Sequence, residues 1–250
     1  MLWQDSKGLN RLPLSFRLGL TAFLVVAGLG YLLGLANIWV SYAPVDGKPG
    51  LSVADIRLSF YGDPSGSKLE KAVTGGMRQY LSSDADKDAV VGWIKAGGKE
   101  SSFDSIQPII STSCASCHSA EVATAGIVLA SYKDISPLLA SDSGKSVSRL
   151  IGLSHTHVNA LLSLMFCLSV VFSFTRYSNK IKGVVMVFAF ASFVIDVGSW
   201  WVAKAVAAAA PLVIVGGMCL GLAYAVLVFL PLHEIWLVKA EGGSKPKQGA

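Results

Sequence analysis

The sequence predicts an all-α membrane protein, a small helical domain plus four transmembrane helices, on three observations. First, four apolar segments stand out along the 250 residues: Leu18 to Val40, Leu153 to Phe174, Val184 to Trp201 and Leu212 to Leu230. Each is close to the ~20 residues that cross a ~30 Å hydrocarbon core as a helix, and a lone segment has no other way to satisfy its backbone there. Second, the stretch between the first two segments is polar and punctuated by helix caps and glycine pairs. Third, that stretch contains Cys114-Ala115-Ser116-Cys117-His118, the one pentapeptide in the chain that names a chemistry.

Taken in order, residues 1–43 form a cytoplasmic N-terminus and an anchor helix, with Gly8 to Pro13 as the short lead-in. The apolar run is longer than the ~7–15 residues of a signal-peptide core, no A-x-A site follows, and Pro44 after Ala43 makes a poor cleavage junction. An uncleaved anchor is expected. Residues 44–152 are the exported domain, helical from Leu51 to Gly152. Ser67-Lys68-Leu69-Glu70 reads as a capping box, opening a helix that Gly75-Gly76 ends. Asp84 or Asp86 caps a second helix with an apolar face of Val90, Trp93 and Ile94, closed by Gly97-Gly98. Ser102 to Ser113 leads into the cysteine motif, where Pro108 fits only near a helix start or as a kink. Asp134 to Ala140 and Lys145 to Leu153 complete the domain. Residues 153–238 are a three-helix transmembrane module, and residues 239–250 a solvated cytoplasmic tail.

Charge sets the orientation and excludes one class of partner. The formal net charge is +5, which alone would be compatible with nucleic acid. Between Ser41 and Gly152, however, 11 basic residues face 12 acidic ones, so no nucleic-acid surface is expected. The excess lies at Lys7, Arg11 and Arg17, at Arg176, Lys180 and Lys182, and at Lys239, Lys245 and Lys247. The positive-inside rule places these in the cytoplasm, with both termini, and leaves Ser41 to Gly152 outside; the connection between the third and fourth spans carries only Lys204. Trp39, Tyr42, Trp200 and Trp201 fall at the outer interface and Trp236 near the inner one, where aromatic belts belong.

Two thiols spaced C-x-x-C and followed at once by histidine can take two thioether bonds from haem vinyl groups while the imidazole coordinates the iron. A redox dithiol would want a βαβ setting, and zinc a second ligand pair of similar spacing. Cys167 and Cys219 sit alone in apolar runs and read as small core residues. One covalent haem c, bound through Cys114, Cys117 and His118, is the expected cofactor. In bacteria such haem is attached outside the cytoplasm, in agreement with the charge argument.

With those residues in view, Phe103 to Ser131, FDSIQPIISTSCASCHSAEVATAGIVLAS, resembles the first half of monohaem cytochrome c domains of the planctomycete-associated type. Gly62 to Gly98, GDPSGSKLEKAVTGGMRQYLSSDADKDAVVGWIKAGG, resembles the second half, so the order is that of a circular permutation. Small-domain termini commonly lie close together, which makes such a rearrangement inexpensive. The resemblance implies a cytochrome c-like helical domain with Met77 as the sixth iron ligand. The family's usual proline after that methionine is Arg78 here. A thioether ligand raises the reduction potential and suits an electron carrier. The alternative distal ligand is His155 or His157, because Ser148-Arg149-Leu150 repeats the S-x-L cue of Ser67-Lys68-Leu69; a bis-histidine haem would run at lower potential.

Ionisable groups inside spans are costly and count as functional candidates. His155 and His157 open the second span and Asp196 lies in the outer half of the third, which makes them the candidate quinone or proton site, with a quinone as its cofactor. Two helical residues two apart diverge by about 200°, so both histidines cannot easily bind one metal. His233 and Glu234 lie at the cytoplasmic end of the fourth span, about a membrane thickness from His155, which excludes the simplest intramembrane bis-histidine haem. LSHTHVNALLSLMF, DVGSWW and GLAYAVLVFLPLHEIW resemble the C-terminal part of bacterial membrane proteins of no assigned activity joined to a cytochrome c domain. Gly216, Gly217, Gly221 and Ala223 are expected to pack against other membrane helices. The expected function is a membrane-bound c-type cytochrome of the bacterial inner membrane. It would be a subunit of a respiratory complex, in contact with lipid and other subunits and exchanging electrons with a soluble or membrane partner. A quinol-oxidising enzyme using His155, His157 and Asp196 and a haem-based gas sensor are the alternatives.

Overall fold

The computed structural model describes residues 8–43, 45–122 and 127–239. The predicted tail beyond Lys239, the basic residues Lys7, Lys245 and Lys247, and Pro44 lie outside the described residues. So do residues 123–126 of the strip that follows the cysteine motif. The described chain is all-α: α1 Leu14–Tyr42, α2 Val53–Phe60, α3 Lys68–Thr74, α4 Asp84–Lys95, α5 Gln107–Ile109, α6 Ala115–His118, α7 Tyr132–Ile135, α8 Val147–Ser173, α9 Asn179–Ala205 and α10 Ala210–Trp236. Four segments, Leu14–Tyr42, Val147–Ser173, Asn179–Ala205 and Ala207–Trp236, are long and apolar enough to cross a membrane. The chain divides into two compact units, residues 1–35 with 152–198 and 215–250, and residues 36–151 with 199–214.

The first unit holds most of the spans. Its core joins Leu24 and Ala27 of α1, Leu168 and Phe172 of α8, Phe193 of α9, and Tyr224 and Leu227 of α10. The glycines of α10 pack against other membrane helices, as expected, and those helices are α9 and α1 of the same chain. A Cβ on Gly216 would lie 2.9 Å from Asp196 Cα, one on Gly217 3.5 Å from Asp196 Oδ1, and one on Gly221 would collide with the Tyr31 hydroxyl. Glycine here permits a backbone approach that any side chain would block. At the opposite end, Glu234 is 2% exposed, and its two carboxylate oxygens accept the Leu9 and Arg176 backbone N–H groups, each at 2.8 Å. Leu9–Arg11 forms a docked 3₁₀ turn, so the lead-in to α1 is fixed structure. Cys167 is exposed on α8 and is not the core residue expected.

The second unit contains the short helices α2 to α7. Ser67 caps α3 by accepting the Glu70 N–H at 3.1 Å, and Gly75 ends the helix, as the sequence predicts. Ser83, not Asp84 or Asp86, caps α4; the two aspartates occupy its first turn, where the helix dipole favours them. Val90 and Trp93 of α4 are buried together with Leu69, Val73, Phe103, Ile106, Ile110, Leu129 and Ile135. Trp93, Phe103 and Tyr132 form an aromatic trio with ring centroids 5.9 to 6.4 Å apart. Pro108 sits in the first turn of α5, and a π-helical turn, Ile110–Cys114, leads into α6.

The two ends of the domain are stitched together. Lys68 N–H donates to the Ala140 carbonyl at 3.0 Å and Asp142 N–H to the Gly66 carbonyl at 2.9 Å. Gly62 (φ 90°) and Gly144 (φ 65°) cross so closely that a Cβ on either would strike the other's backbone. Tyr42 stacks on Phe60 at 6.0 Å and Phe60 meets Trp200 at 6.5 Å, so these rings seat α2 against the ends of α1 and α9. The Lys145 ammonium lies 5.1 Å from both the Tyr42 and Phe60 rings, and Lys204 donates to the Ser143 carbonyl. The helix expected over Lys145 to Leu153 is not separate: α8 runs without a break from Val147.

Candidate functional site

The cysteine motif is held by the domain core. Cys114 is half-buried, Cys117 is exposed, and neither is in a disulfide. Cys114 packs against the core cluster and leads α6, so the pair stands three residues apart on one helical turn, a spacing that puts both on one face. Burial pushes the Cys114 thiol above the ordinary cysteine range. Among the described residues no group of three or more His, Cys, Asp or Glu side chains could hold a metal ion, so the motif gains no further zinc ligands there.

His118 is fixed from two sides. Its Nδ1 lies 3.1 Å from the Ile127 carbonyl oxygen, and its own carbonyl accepts the Leu129 N–H at 2.8 Å. A carbonyl oxygen can only accept, so Nδ1 carries a proton, and in the neutral ring the lone pair lies on Nε2. That is the tautomer an iron-ligating histidine requires, with the second nitrogen tied to the protein. The residues present therefore fit a covalently attached haem: two unpaired thiols on one face and an imidazole oriented to coordinate through Nε2.

Met77 belongs to the same unit. It follows the Gly75-Gly76 end of α3, donates its N–H to the Ala72 carbonyl at 2.9 Å, and leaves its side chain 42% exposed. The turn that carries it reaches the segment before Cys114 through Ser82 and Ser113, whose hydroxyls are 3.4 Å apart. Arg78, the departure from the usual proline, has a structural task. Its Nε and Nη2 donate to Asp84 Oδ1 at 3.1 and 2.7 Å, pinning the methionine turn to the start of α4. Sequence reasoning missed the Ile127 carbonyl and the serine pair; a backbone acceptor has no signature in the sequence.

The remaining candidates lie in the other unit. His155 and His157 stand on unbroken α8, so their directions diverge as expected. His157 Nδ1 is 2.9 Å from the Leu153 carbonyl, and His155 Nδ1 is 3.2 Å from the Asn159 amide nitrogen. Asp196 is 7% exposed, on the face of α9 that meets Gly216 and Gly217. Tyr31 stacks on Tyr224 at 4.8 Å, and the Tyr224 hydroxyl donates to the Ala27 carbonyl at 3.3 Å.

Residues 141–242 match the model of a family described as a transmembrane helical domain. That match covers α8, α9 and α10 and defines the C-terminal part of the chain as a transmembrane helical module. No curated protein and no solved structure matches the chain.

Proposed function

We propose that this protein is a membrane-bound c-type cytochrome that transfers electrons through one covalently attached haem, as a subunit of a respiratory membrane complex. When bound, the haem supplies a one-electron couple between ferrous and ferric iron. Cys114 and Cys117 would hold it by thioether bonds, and His118 Nε2 and the Met77 sulfur would serve as its iron ligands. The observation that carries the reading is the Nδ1 contact of His118 with the Ile127 carbonyl at 3.1 Å, because it fixes the ligating tautomer next to two free thiols. Met77 suits the distal role: it is a large apolar side chain left 42% exposed, on a turn bonded to the segment that precedes Cys114.

The charge asymmetry supports an orientation with the Arg176 to Lys182 connection in the cytoplasm and the haem domain on the outer side of a bacterial inner membrane. His155, His157 and Asp196 remain a separate candidate proton site. Pyridine spectra of acid-acetone-washed protein test the reading. A haem c spectrum is expected, lost in Cys114→Ala/Cys117→Ala; extractable haem b with no type c would refute it.

A further inference from the structure

The soluble unit has a second feature that the ligand assignment does not use. A groove of about 790 Å³ runs from the end of α1, at Trp39 and Val40, past the Gly47–Gly50 loop to Gly76, Arg78 and Gln79. We propose that it binds a membrane-soluble hydroquinone, the electron donor to the haem; this rests on the c-type cytochrome reading above.

Position is the first argument. Trp39 and Val40 are 57% and 74% exposed and close the last turns of a 29-residue apolar helix, so a hydrocarbon-soluble molecule reaches the groove without crossing water. At its other end the groove touches both chain neighbours of Met77. An occupant there lies beside the turn proposed to hold the distal ligand.

Lining chemistry is the second. The indole of Trp39 and the Val40 side chain offer apolar surface to a ring and its tail. A Cβ on Gly47 would lie 3.3 Å from Gly75 Cα, so glycines let two backbones meet with no side chain filling the space. Gln79 donates its amide N–H to the Gly76 carbonyl at 3.1 Å, leaving its own carbonyl oxygen to accept a hydroxyl proton. The Lys48 ammonium has no ion-pair partner among the described residues. An anionic phospholipid fits less well, because the Arg78 guanidinium is already committed to Asp84 at 2.7 Å and a phosphate would find one available cation.

Two O–H bonds of the hydroquinone break and its two C–O bonds become carbonyls. Two protons leave to water at the open mouth, and two electrons pass singly to ferric iron. Between those transfers the iron is reoxidised by a one-electron acceptor, a ferric haem or cupric protein. One hydroquinone and two oxidised acceptors give one quinone, two reduced acceptors and two protons.

Photolabelling of the full-length purified protein in nanodiscs with an azido-benzoquinone, followed by peptide mass spectrometry, tests the inference. Label is expected on peptides spanning 39–50 or 75–79, competed by excess short-tailed hydroquinone, and retained in the haem-free Cys114→Ala/Cys117→Ala variant. Val40→Trp, which fills the groove from a helix surface, should cut labelling by about tenfold or more through lost space. Lys48→Met/Gln79→Leu provides an independent variant should the first perturb folding, and both should slow hydroquinone reduction of the iron without changing its spectrum. Label on α8 near His155 and His157, labelling indifferent to both variants, or competition by phospholipid but not by hydroquinone would each overturn the proposal. A wild-type chain without covalent haem would instead defeat the cytochrome reading while the labelling still reports on the groove.

Discussion

The Nδ1 of His118 is bound to a carbonyl 3.1 Å away, so the imidazole enters any ligand set through Nε2 alone. The second iron ligand of the proposed haem is then open to test. Met77→Ala should abolish the weak long-wavelength charge-transfer band of ferric methionine–haem ligation and lower the reduction potential, since the thioether is the ligand that raises it. His155→Ala and His157→Ala should leave that band intact; the reverse pattern would move the distal ligand to α8. A second residue carries a pH signature. Burial and the neighbouring Arg149 lower the Lys145 pKa to about 8, while the Tyr42 and Phe60 rings under its ammonium limit the fall. Below that value folded and unfolded chains both carry the proton. Between about 8 and the ordinary lysine range only the unfolded chain does, so stability rises with pH across that window. Acylation of Lys145 should show a midpoint near pH 8, set apart from the exposed lysines, and a midpoint in the ordinary lysine range would contradict its half-buried site. At this scale the two cysteines, His118 and Met77 stand out as candidates in the sequence because each carries its own chemistry. The Ile127 carbonyl does not, since every residue has one, and Arg78 showed its purpose only when Asp84 came within reach.

At the scale of elements, local signals served well where they were local. The Ser67 cap, the glycine ends of α3 and α4, the place of Pro108 and the four spans follow from propensity and capping, which need no knowledge of the rest of the chain. One expectation failed because it depended on where the helix begins: α4 starts at Asp84, so Ser83 takes the cap position and accepts the Asp86 N–H at 3.1 Å. The α10 glycines were read as packing against other membrane helices, and they meet Asp196 and Tyr31 of the same chain. Their role yields a paired prediction. Gly216→Ala must push α9 and α10 apart, at a cost of about 1–3 kcal/mol typical of overpacking, whereas Gly34→Ala, with nothing within 4 Å, should be close to neutral. Thermal unfolding in one detergent compares the two, and equal effects would show that α10 does not pack as described.

For the whole molecule, hydropathy marks the four spans in the sequence, but nothing there announces that Glu234 would collect the Leu9 and Arg176 amides at 2.8 Å each. That buried carboxylate ties the start of the chain and the α8–α9 connection to the end of α10. Glu234→Gln would turn one acceptor into a donor facing a backbone N–H, and should cost about 1–3 kcal/mol. Faster proteolysis at the Arg176 connection would report the loss, and an unchanged cleavage rate would show that the carboxylate is not the fastening. The second unit, with residues 62–68 stitched to residues 140–144, contains Cys114, Cys117, His118 and Met77. The central claim is that these residues hold a haem by covalent bonds, and the intact mass of the chain, expressed in cells that mature c-type cytochromes, tests it most directly. The account predicts the polypeptide mass plus one haem, surviving acid-acetone extraction and returning to the bare polypeptide in Cys114→Ala/Cys117→Ala. A wild-type chain of polypeptide mass alone, with both thiols still open to alkylation, would contradict it.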